Sequence, residues 1–219
     1  MKFILAALAF FAFATPAAAQ RWIVAGDSIV TLATGGTPRD LQWSLITQER
    51  SVAFENIGSP GMTLGGPPLG GFNDPEIGET LDRMCGALSA CTGLIVQVGV
   101  NDWAANVSMA NINAGMDRFL NWASSRGKTV LMLDLIYYRD GELGAPVNAA
   151  GNTVSSIRLA RALRCGAAGP SVCVFAGRPA NFNVATAGYY QSDGTHLTPA
   201  GRRAYATWVE SAASAAGLF

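Results

Sequence analysis

The sequence contains a single histidine, so any chemistry that needs an imidazole depends on His196. Only 14% of the 219 residues are charged, with 15 basic and 15 acidic side chains, and no lysine-rich or arginine-rich run occurs. This balance excludes nucleic acid as an expected partner. The four cysteines form no C-x-x-C motif, and their spacing disfavours a zinc site or a redox dithiol. We therefore expect neither a metal nor an organic cofactor.

No apolar run is long enough to span a bilayer as a helix. Residues 3–14 form an apolar run of 12 residues near the N-terminus, whereas a spanning helix needs ~20. Lys2 precedes this run and the A-x-A site Ala17-Ala18-Ala19 follows it, which is the arrangement of a secretory signal peptide. We predict that residues 1–19 are the signal and that residues 20–219 form a single exported domain, periplasmic or extracellular, without a membrane span.

Export permits disulfides, because an oxidising compartment lets thiols pair. Four cysteines allow three connectivities. The short-range pairs are Cys85 with Cys91 and Cys165 with Cys173, each closing a loop between an apparent helix and the next strand. The sequence favours these pairs and leaves the connectivity open.

Half of the residues are hydrophobic, which is enough to bury a sizeable core. Short apolar runs alternate with longer segments of helical period, the pattern of repeated βα units and a parallel sheet. The predicted strands are 22–25, 52–57, 94–98, 129–136 and 172–176. The fold class is therefore α/β, with a five-stranded parallel sheet.

Apolar residues at helical spacing predict the helices between these strands. They are Leu41, Leu45 and Ile46; Ile77, Leu81, Met84 and Leu88; and Ile112, Met116, Phe119, Leu120 and Ala123. For the last helix, Thr198 is the predicted N-cap and Pro199 lies in the first turn. Its predicted buried face carries Ala200, Ala204, Trp208 and Ala212. The glycine-rich and proline-rich segment 58–78 and the segment 140–152 are predicted long loops.

Ligands of an open parallel sheet bind beyond the carboxyl ends of the strands. The first strand is followed by Gly26-Asp27-Ser28, the second by a loop containing Gly61, and the third by Gly99-Val100-Asn101-Asp102. The only histidine lies in Asp193-Gly194-Thr195-His196, before the last helix. We expect these segments to meet at one edge of the sheet.

These residue types suit nucleophilic catalysis. A serine hydroxyl needs a base within hydrogen-bond reach, and the base needs an acceptor on its other ring nitrogen. Asp193 and His196 could provide that pair for Ser28. Attack on a carbonyl also creates an oxyanion, which requires fixed donors such as backbone N–H groups and a side-chain amide. The Ser28 and Gly61 backbones and the Asn101 amide are donors of those kinds.

Four sequence blocks resemble those of the SGNH hydrolases, also called GDSL-type esterases and lipases. They are Gly26-Asp27-Ser28-Ile29, with isoleucine at the usual leucine position; Asn56 with Gly61; Gly99-x-Asn101-Asp102; and Asp193-x-x-His196-Leu197-Thr198. The blocks occur in the family's order over nearly the whole mature chain. The resemblance implies a flavodoxin-like three-layer α/β/α sandwich. It also implies a catalytic triad of Ser28, His196 and Asp193, with oxyanion donors at Ser28, Gly61 and Asn101.

Two assignments within these blocks have alternatives. Gly58 lies close to Gly61, so either backbone N–H could face the oxyanion. Asp27 and Asp102 are also carboxylates beside the site and could serve as the triad acid. We favour Gly61 and Asp193, and we expect Asp27 and Asp102 to hydrogen-bond local turns.

The resemblance implies hydrolysis of a carboxylic ester through an acyl-serine intermediate. Export favours small-molecule or glycan esters, and the lack of a Met-rich or Leu-rich lid favours short acyl groups, above all acetyl. The alternatives are a lysophospholipase or lipase acting on longer chains, an O-acyltransferase acting on glycans, and a non-catalytic carbohydrate-binding protein. Trp103, Tyr189 and Tyr190 flank the blocks, and each could contact substrate or complete the core.

Overall fold

The computed structural model describes residues 20–31, 41–50, 52–66, 77–87, 91–136, 147–180, 182 and 188–219. The predicted signal peptide, residues 1–19, lies outside these residues. So do Leu88 and parts of both predicted long loops, residues 67–76 and 140–146.

Within the described residues, five parallel strands form a sheet in the order β2-β1-β3-β4-β5. The strands are β1 (Arg21–Gly26), β2 (Ala53–Asn56), β3 (Gly93–Gln97), β4 (Thr129–Leu133) and β5 (Cys173–Ala176). The predicted five-stranded parallel sheet is confirmed. Strand β4 ends before its predicted boundary at residue 136. There the Asp134 carboxylate accepts a hydrogen bond from the Leu135 N–H at 2.7 Å, which turns the chain.

The described helices connect these strands. They are α1 (Ser28–Thr31), α2 (Leu41–Arg50), α3 (Ile77–Ala87), α4 (Val100–Ala104), α5 (Met109–Ser125), α6 (Val154–Ala168) and α7 (Pro199–Ala215). Over the described part of the chain, no helix combines the length and apolar character needed to cross a membrane.

The sheet buries both of its faces under helices. On β1, Ile23 and Ala25 join one core cluster with residues of α3, α5 and α6. The alternating residues Trp22 and Val24 join a second cluster with residues of α2 and α7. Because successive strand side chains point to opposite faces, this division shows three layers, α/β/α, as predicted.

Helix α7 begins as predicted, but its buried face is centred to one side of the predicted one. The Thr198 side chain accepts a hydrogen bond from the Gly201 N–H at 3.2 Å, and Pro199 opens the helix. Of the four residues predicted for the buried face, Trp208 is buried, Ala204 and Ala212 are partly buried against the second core cluster, and Ala200 is exposed. The buried residues are Gly201, Arg202, Tyr205, Ala206, Trp208, Val209 and Ala213. The fully buried Arg202 shares this face with Tyr205 and Ala206, and a charged residue there is what the apolar pattern does not predict.

Helix α6 buries one charged side chain among apolar ones and exposes two leucines. Its buried side chains are Val154, Ile157, Arg161 and Cys165. Leu159 and Leu163 lie on its outer face, 60% and 64% exposed. Apolar periodicity therefore gives a weakened sign of which face of this helix packs on the sheet, because Arg161 is buried while Leu159 and Leu163 are exposed.

The strand order places a topological switch point between β1 and β3. The chain leaves β1 toward β2 on one side, then returns to β3 on the other side. Ligands of doubly wound sheets bind beyond the carboxyl ends of the strands at such a point. Ser28 follows β1 and Asn101 follows β3, so both residues lie at this crevice.

Candidate active site

The end of β1 brings Ser28 to the carboxyl edge of the sheet. Gly26 approaches β3 so closely that a Cβ there would lie 2.3 Å from the Gln97 carbonyl oxygen. The Asp27 N–H donates to the same carbonyl at 3.2 Å, and Ser28 then opens helix α1. The Asp27 carboxylate accepts from the Ile29 N–H at 3.0 Å, which is the local turn bond expected for this residue.

The structure places Ser28, His196 and Asp193 in one hydrogen-bonded line. The His196 Nε2 lies 3.0 Å from the Ser28 Oγ, and the His196 Nδ1 lies 2.7 Å from the Asp193 Oδ2. These two distances are the separations that an activated serine requires. Each ring nitrogen of the imidazole therefore has one partner, and the carboxylate on Nδ1 favours the tautomer whose Nε2 can accept the serine proton.

Backbone hydrogen bonds fix the loop that carries the histidine. Asp193 Oδ1 accepts from the N–H groups of Thr195 and His196 at 2.8 and 2.9 Å. The Gln191 N–H donates to the His196 carbonyl at 2.8 Å. The Asp193 carboxylate thus folds its own loop with one oxygen and orients the imidazole with the other.

The electrostatics of Asp193 favour its charged form. Partial burial raises the pKa of this carboxyl, but the hydrogen bonds from the His196 ring and from the Thr195 and His196 N–H groups outweigh that effect and lower the pKa below its usual value. The Asp193 side chain is 46% exposed and that of His196 23%. The pair therefore lies at the surface of the edge, where substrate can reach it.

Polar side chains from β2, α2 and α7 hydrogen-bond the backbone carbonyls of helix α1. The Val30 carbonyl accepts hydrogen bonds from Asn56 Nδ2 at 3.0 Å and from Gln42 Nε2 at 3.4 Å. The Arg202 guanidinium donates to the Ile29 carbonyl at 3.3 Å and to Gln42 Oε1 at 3.1 Å. Sequence reasoning missed Arg202 and Gln42, and an arginine in the apolar stripe of α7 was the available signal.

The loop after β2 distinguishes the two candidate glycine donors. The Gly58 N–H donates to Asn56 Oδ1 at 2.9 Å, and the Ser59 N–H donates to the Gly26 carbonyl at 2.9 Å. Gly61 is exposed with φ +80°, and among the described residues none accepts a hydrogen bond from its N–H. This arrangement favours Gly61 over Gly58 as a donor to a ligand.

Asn101 lies in the first turn of α4, next to the same loop. Its Nδ2 donates to the Met62 carbonyl at 3.1 Å. A carboxamide nitrogen carries two hydrogens, so this bond orients the amide and leaves a second hydrogen for a ligand. The preceding Gly99 has φ +137°, a conformation that other residues rarely adopt.

The Asp102 carboxylate accepts hydrogen bonds from a distant loop, and not from the local turn expected for it. Its carboxylate accepts from the Leu64 N–H at 2.7 Å and from the Gly65 N–H at 2.8 Å, both distant in sequence. The expectation of a local turn is therefore wrong for this residue. No sequence pattern indicates this contact, because it depends on how the loop after β2 folds over α4.

Burial changes the pKa values of the two inner carboxyls. Desolvation raises the pKa of Asp27 to about 7, although the Ile29 N–H and the Arg161 charge oppose that rise. Desolvation likewise raises the pKa of Asp102 to about 6, opposed by the Leu64 and Gly65 N–H groups and by Arg161. The Asp193 carboxylate is the one that contacts a ring nitrogen of His196 at hydrogen-bond distance, 2.7 Å, and this favours Asp193 as its partner.

The three flanking aromatic residues are all partly buried. Trp103 packs against the first core cluster, and its carbonyl accepts from Asn148 Nδ2 at 2.9 Å. The Tyr189 ring lies 5.5 Å from that of Phe182, and the Tyr190 hydroxyl donates to the Phe182 carbonyl at 3.4 Å. Both tyrosines therefore complete the second core cluster.

The cysteines lie at the opposite edge of the sheet. Cys85 is bonded to Cys91 and Cys165 to Cys173, the two short-range pairs that the sequence favours. Each disulfide joins the end of a helix to the start of the next strand. Over the described ranges, no cluster of three or more His, Cys, Asp or Glu side chains is suited to hold a metal ion.

Comparison with known proteins identifies the fold through solved structures. No family model and no curated protein sequence matches the chain. The psychrotrophic esterase EstA of a Pseudoalteromonas species matches with TM-score 0.64 and 11% identity, over 90% of this chain and 97% of the esterase. A lipase/acylhydrolase of Enterococcus faecalis matches with TM-score 0.61 and 15% identity, over 90% and 96%. A GDSL-like lipase of Bacteroides thetaiotaomicron matches with TM-score 0.58 and 14% identity, over 90% and 88%.

The chain therefore has the α/β/α fold of GDSL-type lipases and esterases. At these identities the match concerns the fold. Function depends on the residues that this fold brings together.

Proposed function

We propose that this protein is an exported serine hydrolase of the SGNH, or GDSL-type, family that cleaves carboxylic esters. The observation that carries the proposal is the contact of the only histidine with both partners that a triad needs. His196 lies 3.0 Å from the Ser28 Oγ and 2.7 Å from the Asp193 carboxylate. The fold shared with an esterase and with GDSL-type lipases supports the same reaction class.

In the proposed first step, the Ser28 Oγ attacks the ester carbonyl while His196 Nε2 accepts the serine proton. The resulting imidazolium is stabilised by the Asp193 carboxylate on Nδ1. His196 then returns the proton to the departing alcohol, and the acyl group remains bonded to Ser28. In the second step, water gives a proton to His196 and attacks the acyl-serine; His196 returns that proton to the departing Ser28 Oγ, which releases the acid and restores the serine.

The negative oxygen formed in each step needs fixed donors. The Ser28 N–H lies at the start of α1, and no described residue accepts a hydrogen bond from it. We assign this N–H, the Gly61 N–H and the second Asn101 amide hydrogen to the oxyanion hole. Such preorganised donors stabilise the transition state more than the substrate.

We propose a small-molecule or glycan ester with a short acyl group, acetyl first, as the substrate. The sequence has no Met-rich or Leu-rich lid segment to cover a long chain. The signal-like residues 1–19 support export, and the Cys85–Cys91 and Cys165–Cys173 disulfides fit an oxidising compartment. The periplasm and the extracellular space are both such compartments.

The test is hydrolysis of nitrophenyl esters from acetate to palmitate by protein produced from the full-length chain. Ser28→Ala removes the nucleophile, and Ser211→Ala makes the same change at an exposed position of α7. We expect the short esters to be cleaved by the wild type and by Ser211→Ala, but not by Ser28→Ala. Equal turnover by the wild type and Ser28→Ala would refute the proposal.

Product analysis with an added sugar acceptor tests hydrolysis against acyl transfer. Free acid as the main product supports the hydrolase, because water is then the second nucleophile. Acylated sugar as the main product would show that the same acyl-serine serves a transferase.

A further inference from the structure

The fully buried carboxylate of Asp102 ties together the two segments that supply oxyanion donors. It accepts the Leu64 and Gly65 N–H groups, as described above, and it is 0% exposed. The preceding residue, Asn101, bonds the Met62 carbonyl of the same loop. Two consecutive side chains of α4 therefore hold residues 62–65, directly after Gly61.

The other side of this loop has no room to shift. A Cβ on Gly65 would lie 2.3 Å from the Asn111 backbone, and a Cβ on Gly115 would lie 1.8 Å from the Leu64 carbonyl oxygen. Helix α5 therefore contacts the loop backbone directly. The position of the loop is fixed by α5 on one side and by the Asp102 carboxylate on the other.

A buried arginine lies behind this carboxylate. Arg161 of α6 is 0% exposed, and its guanidinium donates to the Leu133 carbonyl at 2.7 Å. Its Nε and Nη1 are buried without a hydrogen-bond acceptor among the described residues. Its charge acts on Asp134, Asp102 and Asp27 through space. A cation in a low-dielectric interior favours the charged form of nearby carboxyls.

We propose that Asp102, supported by the Arg161 charge, is a positioning residue that sets the geometry of the oxyanion donors Gly61 and Asn101. The inference rests on the proposed function and adds a residue that does not touch the reacting atoms. With Asp102 charged, the loop backbone and the Asn101 amide are held in place. When the carboxylate is lost, the Leu64 and Gly65 N–H groups lose a strong acceptor and the donors lose their alignment.

The first test compares Asp102→Asn with Asp117→Asn on nitrophenyl acetate. Asp117 is an exposed carboxylate of α5 paired with Arg164, so it provides the same chemical change away from the site. We expect Asp102→Asn to lower kcat by about 10-fold to 100-fold with KM within about twofold, less than the ~10²- to 10³-fold cost of deleting a donor outright. We expect Asp117→Asn to match the wild type.

A wild-type kcat in Asp102→Asn would overturn the inference and leave the proposed function intact. A rise in KM with kcat unchanged would also overturn it, because it would place Asp102 in substrate binding. Inactivity of the wild type would overturn both proposals. Circular dichroism identifies a variant that does not fold, in which case the second test decides.

The second test is the pH profile of kcat for Arg161→Met, with Arg164→Met on the same helix as its control. Removing the buried cation raises the pKa of Asp102, so more alkaline solution is needed to charge it. We expect the acidic limb of the profile to move to higher pH in Arg161→Met and to stay in place in Arg164→Met. An unmoved limb in Arg161→Met would overturn the inference.

Other charged groups face this cluster, and the double variant separates their effects. Asp27 faces Arg161 and His196, while Asp134 faces Arg161 and is paired with Arg158. We expect Arg161→Met to leave the acidic limb of the kcat–pH profile in place when it is added to Asp102→Asn. If the limb moved as far in the double variant as in Arg161→Met alone, the effect would belong to Asp27 or Asp134, and the role of Asp102 would be overturned.

Discussion

Asp193 performs two tasks with one side chain. One oxygen folds the loop by accepting the Thr195 and His196 N–H groups, and the other contacts the His196 ring. The geometry of the Asp193–His196 pair is therefore encoded within four consecutive residues. That locality explains why the spacing of Asp193 and His196 was readable from the sequence, whereas the contact with Ser28 needed the whole fold.

We expect Asp193→Asn to lower kcat for nitrophenyl acetate by up to ~10⁴-fold, because an amide can hold the imidazole in the wrong tautomer. The measurement is steady-state turnover beside Asp117→Asn. Retention of full activity by Asp193→Asn would move the acid role to another carboxylate.

Asn101 provides a separate test of the oxyanion hole. We expect Asn101→Ala to lower kcat by ~10² to 10³-fold, the usual cost of removing one donor. Asn121→Ala, at an exposed position of α5, serves as the matched control in the same turnover assay. If both alanine variants were equally active, Asn101 would have no part in stabilising the oxyanion.

At the scale of elements, buried arginines link the helices to the site. Arg202 joins α7 to the Ile29 carbonyl of α1, and Arg161 of α6 interacts through its charge with Asp134, Asp102 and Asp27. Both residues occupy positions where an apolar side chain is the usual choice. The core beneath the site is therefore partly polar, and its hydrogen bonds fix where Ser28 lies.

We expect Arg202→Met to lower the free energy of unfolding by ~1–3 kcal/mol, because the Ile29 carbonyl and the Gln42 side chain lose a buried donor. The neighbouring variant Arg203→Met, at an exposed position, should change it by less than ~0.5 kcal/mol. Urea unfolding of both variants measures the difference. Equal stability of the two would show that Arg202 does not hold α1.

The strands were predictable because each is a short apolar run between turn residues. The burial of Arg161 on α6 and Arg202 on α7, and the exposure of Leu159 and Leu163 on α6, were not predictable. Apolar periodicity cannot anticipate a buried charge whose partners come from other elements. The contact between Asp102 and the Leu64 N–H was not predictable either, because the two residues are 38 positions apart and belong to different elements.

At the scale of the whole molecule, the candidate site and the disulfides lie at opposite edges of the sheet. The carboxyl edge carries the candidate site, and the opposite edge carries the disulfides Cys85–Cys91 and Cys165–Cys173. The cross-links thus stabilise the fold at a distance from the reacting atoms. Stability and catalysis should respond separately to their removal.

We expect the paired change Cys165→Ser and Cys173→Ser to lower the free energy of unfolding by roughly 2–3 kcal/mol, the typical contribution of a small-loop disulfide. At 25 °C, kcat should stay within about twofold of wild type. Denaturant unfolding and ester turnover are measured on the same preparation. A variant as stable as the wild type would show that this disulfide contributes nothing to the fold.

The inner carboxyls predict how stability depends on pH. Burial raises the pKa of Asp27 from 3.8 to about 7 and that of Asp102 from 3.8 to about 6. Between pH 3.8 and these raised values, each carboxyl binds more protons in the folded state than in the unfolded state. Their contribution to stability is therefore present at low pH and is lost as the pH rises from about 4 to about 7. We expect Asp27→Asn to flatten this decline in thermal unfolding. An identical slope in the wild type and Asp27→Asn would contradict the assignment.

The most direct test of the central claim is covalent labelling of the nucleophile by a nitrophenyl alkylphosphonate, followed by peptide mass mapping. A serine activated by His196 should displace nitrophenol and retain the phosphonyl group. We predict one label per molecule, located on Ser28, with no label in Ser28→Ala and a labelling rate in His196→Ala reduced by at least about 100-fold. Labelling of another residue, or labelling of Ser28 at the same rate without the histidine, would contradict the account.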